Sequence, residues 1–364
     1  MEVFLKVVLL SGASSIHTIR WANSLVEKGV DVYLISQHKP LESLDPKVNF
    51  FELPYKGMLG YYLYSRNVRR IVSEIKPDIV NAHYVSGYAT LARLINFHPT
   101  LLSVWGSDVY SFPKKSFLHK SLVTKNLKFA DKVASTSIAM AEQTNSLLAK
   151  KIDDIAITPF GVEFDKFKNI EYKSDCDEII IGTIKGLEYQ YGIDILIRSF
   201  ALLNERMLKQ KSAKRVFLEI VGKGSKEEEL KALVKELRLE DKVKFLGRIQ
   251  HALVPQKLQS FDIFAALSRV ESFGVAVVEA HAACRPVVVS DVGGLPEVVT
   301  NNVNGFVVPC ENVDETCNKL EELINDYDLR KAMGEAGFNN ALDKYSWEKN
   351  VQTMIDLYAE VIEN

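Results

Sequence analysis

Residues 269–297 read RVESFGVAVVEAHAACRPVVVSDVGGLPE, and the architecture can be worked out from them in both directions. The run before it, Asp262–Leu267, is short, apolar and β-rich, and reads as a buried strand. Glu271 then falls in the loop past that strand's carboxyl end. Ser272-Phe273-Gly274 opens a helix running to about Ala283, and Pro286–Ser290 is a second buried strand. Strand, helix, strand is the repeating unit of a parallel sheet. The first amides of such a helix have no intrahelical partner and attract anions. Gly274 lets a ligand come close to the backbone. Glu279 follows Glu271 by eight residues, about two turns, so it lies near the same helix face. A carboxylate at the mouth and one deeper in suit sugar and ribose hydroxyls flanking a diphosphate. Read alone, the segment is equally a capped amphipathic helix with two solvated glutamates.

The same rhythm extends in both directions. Strands are expected at Val3–Leu10, Val30–Ser36, Val48–Leu53, Asp78–His83, Thr100–Val104 and Lys132–Thr136, with helices at Ile16–Glu27, Gly60–Glu74 and Gly87–Ile95. Thr158-Pro159-Phe160-Gly161 and the polar run Asp165–Glu178 interrupt the pattern. It restarts with strands at Glu178–Ile184, Arg215–Val221, Lys242–Leu246, Asp262–Ala266 and Pro286–Ser290, and ends in a long amphipathic helix, Ser346–Glu363. Two doubly wound α/β domains follow. In such sheets ligands bind at the carboxyl ends of the strands, and both domains can present those ends to one cleft.

Composition agrees with this class. The chain has 364 residues, 47% hydrophobic and 25% charged, which excludes low-complexity disorder and a small stapled scaffold. Its net charge of −2 argues against a general nucleic-acid binder. The charge is uneven: residues 1–160 carry a balance of +6 and the remainder −8, as expected of two domains with different surfaces. The four cysteines, Cys176, Cys284, Cys310 and Cys317, have neither CxxC pairing nor a disulfide-like framework, which fits a reducing compartment. The apolar N-terminal stretch is too short for a signal sequence and reads as a first strand. No apolar run approaches the ~18 residues of a membrane span.

The ordered motifs of the second half resemble the retaining glycosyltransferases of family 4, also called glycosyl transferases group 1. These are Glu271, Phe273-Gly274, Glu279-Ala280, Pro286-Val287-Val288, Asp291-Val292-Gly293-Gly294-Leu295-Pro296-Glu297 and Asn304-Gly305-Phe306-Val307-Val308-Pro309. The resemblance covers essentially the whole chain and is strongest over residues 215–310. It implies the GT-B fold: two Rossmann-like doubly wound domains facing a central cleft. The acceptor domain would span residues 1–163 and the nucleotide-sugar donor domain 164–344, with the C-terminal helix 345–364 packing back on the first domain.

On this resemblance Glu271 holds the donor sugar near the reacting carbon. Ser272 and the amides of Phe273, Gly274 and Val275 face sugar or phosphate oxygens, and Glu279 accepts from the ribose. Gly222-Lys223-Gly224 matches the family's glycine loop after a strand, and Arg248-Ile249 matches the loop beside the nucleotide base. The family usually carries an Arg after the first strand of this domain and a Lys before the next helix, neutralising the departing diphosphate. Here Thr183 and Tyr191 stand at those places. Lys185 is expected to supply the main positive charge, with Lys223 a weaker candidate.

For the first domain, Gly12-Ala13-Ser14 resembles the family's glycine loop beside the substrates. His17 and Arg20 lie one turn apart on the following helix and can face the same cleft. Trp105-Gly106-Ser107-Asp108 resembles a Gly-x-Asp loop that often carries a catalytic His before the Gly; this chain has Trp105 there. His17 or His83 can stand in for that histidine, or the leaving phosphate can act as base. Asp108 is a candidate to orient an acceptor hydroxyl, and a helix cap is its ordinary reading.

No cofactor and no metal are expected. Asp175-Cys176-Asp177 is formally Asp-x-Asp but precedes a strand, so it reads as a solvated loop, and no His/Cys cluster has metal-ligand spacing. The partners expected are a nucleotide-sugar donor and a glycan or lipid-linked glycan acceptor, with no nucleic acid. The resemblance points to cell-surface polysaccharide or lipopolysaccharide biosynthesis in the cytoplasm. Basic, aromatic residues at Phe112–Lys132 and a cluster at Arg66, Arg69 and Arg70 suit peripheral contact with an anionic membrane, or simply a solvated helix face. Two rival readings remain: a non-catalytic nucleotide-sugar-binding protein on the same fold, and a dinucleotide-dependent oxidoreductase. The second is disfavoured because neither first strand is followed by GxGxxG.

Overall fold

A computed structural model describes residues 5–167 and 175–364. Residues 3 and 4 of the expected first strand, and residues 168–174 of the expected polar connector, lie outside the described residues. The chain divides into two compact units. Unit 1 holds Met1–Pro159 and Lys349–Asn364, and unit 2 holds Phe160–Glu348.

Unit 1 begins with β1 (Lys6–Leu10), α1 (Ile16–Glu27), β2 (Asp31–Ser36), β3 (Asn49–Glu52) and α2 (Gly57–Ile75). It continues with β4 (Ile79–His83), α3 (Gly87–Ile95), β5 (Thr100–Val104), α4 (Ser107–Tyr110) and α5 (Phe117–Phe129), and then β6 (Lys132–Ser135), α6 (Ile138–Ser146) and β7 (Ile155–Ile157). The strands form one sheet in the order β3-β2-β1-β4-β5-β6-β7, and each pair is parallel. β1, β4 and β5 are buried almost throughout, because both faces of a parallel sheet are covered by helices. On one face α2, α3 and α5 pack over Val8, Leu10, Val80, Leu102 and Val133. α1 forms because Ile19, Ala22 and Val26 recur at helical spacing and are buried together with Trp21 and Leu25.

Unit 2 holds β8 (Glu178–Ile184), α7 (Ile193–Lys209), β9 (Arg215–Val221), α8 (Glu227–Glu236), β10 (Val243–Gly247) and α9 (Val254–Ser260). β11 (Ile263–Ala266), α10 (Val275–Ala282), β12 (Val287–Ser290), α11 (Leu295–Val298) and β13 (Gly305–Val308) follow, and then α12 (Val313–Asn325) and α13 (Tyr327–Lys344). The sheet order is β10-β9-β8-β11-β12-β13, again with parallel pairs. Its core gathers Ile181, Leu196, Phe200, Leu218, Ile263 and Leu320.

The last helix, α14 (Trp347–Glu363), buries Val351, Met354, Leu357, Tyr358 and Val361 on one stripe. Lys349–Asn364 belongs to unit 1. There the Asn81 amide of β4 donates to the Tyr358 hydroxyl at 2.8 Å, deep in the core.

Each sheet reverses its winding once. In unit 1 the reversal lies between β1 and β4, and in unit 2 between β8 and β11. At such a switch point the two flanking loops leave in opposite directions and open a crevice at the carboxyl edge.

Candidate active site

The loops bordering the unit 2 reversal carry two residues expected from the sequence, Lys185 after β8 and Glu271 after β11. The structure brings them together as an ion pair between Lys185 Nζ and Glu271 Oε2. Their side chains are only 10% and 11% exposed. Ser268 Oγ lies 3.4 Å from the same carboxylate oxygen. The ammonium also sits 5.2 Å from the centre of the Tyr191 ring, a cation–π contact. So Tyr191, where the family resemblance leads one to expect Lys, supports a cation supplied earlier in the same loop. Thr183 is fully buried, and its hydroxyl finds no hydrogen-bond partner among the described residues.

Backbone close approach holds these loops. Lys185 N donates to Val221 O at 3.0 Å, and Leu187 N to Lys223 O at 3.1 Å. Gly222 has φ +148°, and a Cβ there would overlap the Lys185 carbonyl, so only glycine fits. Lys223 and Arg248 are exposed, while Gly224 and Ile249 are half-buried. Gly274 precedes α10 with φ +105°. No side chain caps α10 and its first turn holds no acid, which leaves a positive helix end beside Glu271. Phe273 is buried, with its ring edge-on to Tyr345 at 5.4 Å, and this fixes the backbone between Ser272 and Val275. Glu279, one turn into α10, has Oε1 3.4 Å from His251 Nε2 and is 13% exposed.

One residue of this edge escapes a reading by motif. Arg269 is 11% exposed and donates two hydrogen bonds to Asp194, at 2.9 and 2.7 Å, a third to Glu311 at 2.6 Å and a fourth to Tyr189 O at 2.7 Å. Its guanidinium lies 4.0 Å from the Tyr189 ring centre. The hydrogen bonds to Asp194 hold it firmly charged. Arg269 thus clasps the 185–192 loop to the loop carrying Glu271. A charged residue two positions before Glu271 was the available signal.

In unit 1 the expected residues gather at the reversal between β1 and β4. Gly12 lies against the Tyr88 ring, Ala13 N donates to Ser36 Oγ at 2.9 Å, and Ser14 is exposed. His83 packs on Trp105 with ring centres 4.2 Å apart and the ring planes tilted by 33°, and His17 meets the same indole edge-on at 6.1 Å. His83 Nδ1 is 2.9 Å from Ser11 Oγ, and burial pushes the imidazole down to about 3, so it is neutral. Arg20 is half-buried on α1. Asp108 is fully buried. Its carboxylate accepts from the amides of Val85 and Gly106, both at 2.8 Å, and from Trp105 N at 3.3 Å. Burial raises its pKa against the pull of those amides. Asp108 therefore ties the 84–86 loop to the 105–107 loop, and its oxygens face backbone.

Among the described residues no group of three or more His, Cys, Asp or Glu is arranged to hold a metal ion. Asp175 is taken by Lys214 at 2.8 Å and Arg330 at 3.0 Å. The Arg66, Arg69 and Arg70 cluster separates in the structure. Arg69 donates to the Leu94 and Ile95 carbonyls at the end of α3, and Arg70 pairs with Glu74.

Residues 164–340 match the family model for glycosyl transferases group 1, and residues 6–137 the model for glycosyl transferase 4-like proteins. A D-inositol 3-phosphate glycosyltransferase from Corynebacterium aurimucosum is 32% identical over 336 residues, covering 86% of this chain and 73% of that protein. Among the first relatives matched, the aligned part spans between 43% and 94% of their lengths. Sucrose-phosphate synthase from Thermosynechococcus elongatus superposes with a TM-score of 0.84 at 18% identity, over 99% of each chain. HepE from Anabaena, solved with UDP-glucose, superposes with a TM-score of 0.78 at 19% identity, over 98% of this chain and 100% of that one. Both share the two-domain GT-B arrangement of parallel sheets.

Proposed function

The chain belongs to the glycosyl transferases group 1 family, and from that premise we propose that it moves a hexose-type sugar from a nucleoside diphosphate sugar to an acceptor hydroxyl, with retention of anomeric configuration and without a metal ion. The observation that carries this reading is the Lys185–Glu271 pair beside the uncapped start of α10. A diphosphate arriving there replaces Glu271 as the partner of Lys185. The released carboxylate is then available to a sugar hydroxyl. Lys185 and the α10 amides stabilise charge as it develops on the departing phosphate. In the transfer the bond from the anomeric carbon to the phosphate oxygen breaks. The acceptor oxygen bonds that carbon on the same face, and the acceptor proton passes to the leaving phosphate. Glu279 takes the ribose hydroxyls, and Arg248 and Ile249 flank the base. The UDP-glucose bound by HepE makes a UDP-sugar the first donor to test. The acceptor proposed is a glycan or lipid-linked glycan.

The test is a thermal-shift screen against UDP, GDP, ADP and their sugars, on wild type and Glu279→Ala. Ligand that binds only the native state raises its apparent stability. Stabilisation by one nucleotide, lost in the variant, supports the donor site. No shift at any concentration, confirmed by calorimetry, overturns it. Product NMR then reads the anomeric configuration. A non-catalytic binding protein, suggested by Trp105 and the buried Thr183, would bind the donor and release no free nucleotide.

A further inference from the structure

Unit 1 exposes large apolar side chains at one edge. α2 has 19 residues, about 28 Å at the helical rise. The five residues of β4 span only about 17 Å. α2 returns to the amino end of β4, so its first two turns run past the carboxyl edge of the sheet. There Leu59 and Leu63 are 76% and 66% exposed, one turn apart, with Tyr62 beside them. α5 ends next to the start of β6, which places its own first turn at the same edge. There Phe117 and Leu118 are 83% and 76% exposed. α3 packs between α2 and α5, which sets the two tips about 20 Å apart at ordinary helix spacing.

The charge around both tips has one sign. Residues 53–73 contain Lys56, Arg66, Arg69 and Arg70 and no acidic residue. Residues 109–130 contain Lys114, Lys115, Lys120, Lys125 and Lys128 and again no acidic residue. Arg69 and Arg70 serve the fold, as described, and the exposed Lys56, Arg66, Lys114, Lys115 and Lys120 flank the apolar tips. Protein interfaces are depleted in lysine at their centres and pair charges across the contact. Apolar tips ringed by lysine fit a lipid surface, where cations near anionic headgroups add to the binding made by the inserted apolar side chains. We propose that this edge of unit 1 docks on an anionic bilayer, with Leu59, Leu63, Phe117 and Leu118 entering the interface and the lysines against headgroup phosphates. The proposal stands on unit 1 alone and does not depend on the donor reading of unit 2.

The test is co-sedimentation of the full chain with phosphatidylcholine vesicles, with and without phosphatidylglycerol. Wild type is expected to sediment with the anionic vesicles at low salt and to be released at high salt. Leu59→Ser/Leu63→Ser/Phe117→Ser/Leu118→Ser is expected to bind about tenfold or more weakly, because no apolar side chain at either tip then enters the interface. Its circular dichroism and melting point should stay unchanged, because the sites are exposed. Lys114→Ser/Lys115→Ser/Lys120→Ser is expected to lose the preference for phosphatidylglycerol. No sedimentation at low salt, equal sedimentation with neutral vesicles, or a four-serine variant that binds like wild type would each overturn the proposal. So would a dimer in size-exclusion chromatography that the four-serine variant converts to monomer without any vesicle binding.

Discussion

Lys185 and Glu271, 86 positions apart, meet as an ion pair at the winding reversal of the second sheet. The pair makes two separable predictions. Removing Lys185 takes away the cation facing the departing phosphate, so Lys185→Ala should lower turnover by about 10²–10³. It also leaves a carboxylate with little solvent, so it should cost about 1–3 kcal/mol of stability. Lys185→Met/Glu271→Gln removes both charges. Its stability should return toward wild type while turnover stays low. Nucleotide-release assays and urea unfolding read the two effects, and near-normal turnover of Lys185→Ala would falsify the assignment.

The 185–192 loop depends on a backbone that no other residue can adopt at Gly222. Its φ is +148°, and a side chain there would strike the Lys185 carbonyl. Gly222→Ala should therefore cost more than about 2 kcal/mol and displace Lys185. Gly29 is the control: its φ is +84° with open space around it. Gly29→Ala should cost about 1 kcal/mol and leave donor binding intact. Equal losses in the two variants would argue that only the dihedral matters at Gly222.

The donor-side loops are legible because their signals are local. Glu271, Gly274 and Glu279 sit at fixed offsets around one helix start, and short β-rich stretches of four to seven residues mark the strands. What joins distant loops is not local. Arg269 and Asp194 are 75 positions apart, and nothing in either neighbourhood announces the other. β7 is three half-exposed or exposed residues, too short and too wet for a periodic signal. Arg66, Arg69 and Arg70 look alike in sequence, but only the packing of α2 on α3 tells which one caps a helix end. In sequence Asp108 reads either as a residue orienting an acceptor or as a helix cap, and only its three amide partners show that it ties two loops together.

Arg269 supplies a prediction that separates geometry from charge. Lysine keeps the charge but has no planar fork to reach Asp194, Glu311 and Tyr189 O together. Arg269→Lys should cost about 1–3 kcal/mol, since Asp194 and Glu311 lose hydrogen bonds in a half-buried site. Because Arg269 acts through the loop that carries Lys185, kcat should fall more than nucleotide affinity. A variant with wild-type kcat and only a raised KM would instead place Arg269 in substrate contact.

Acid should destabilise the fold through histidines buried in their neutral form. Burial pushes His281 down to about 4 and His83 down to about 3. An unfolded histidine titrates near 6.5. His281 Nε2 is 3.1 Å from the Asn304 carbonyl, so the proton belongs on Nε2. Nδ1 is then bare, buried, and without a hydrogen-bond partner among the described residues. The Gly337 backbone of α13 lies against the same ring. A second proton would place a charge and an unpaired N–H between α10 and α13. Both folded values lie below the unfolded one, so the unfolded state binds more protons in the interval between them. The contribution is complete above about pH 6.5 and is lost as pH falls toward the folded values, with a slope of about 1.4 kcal/mol per pH unit for each histidine. His281→Gln keeps a donor for Asn304 and cannot titrate. Urea unfolding between pH 7.5 and 4.5 should show a shallower loss of stability in this variant, by about one proton's slope. Parallel curves for wild type and His281→Gln would show that acid acts on this fold elsewhere.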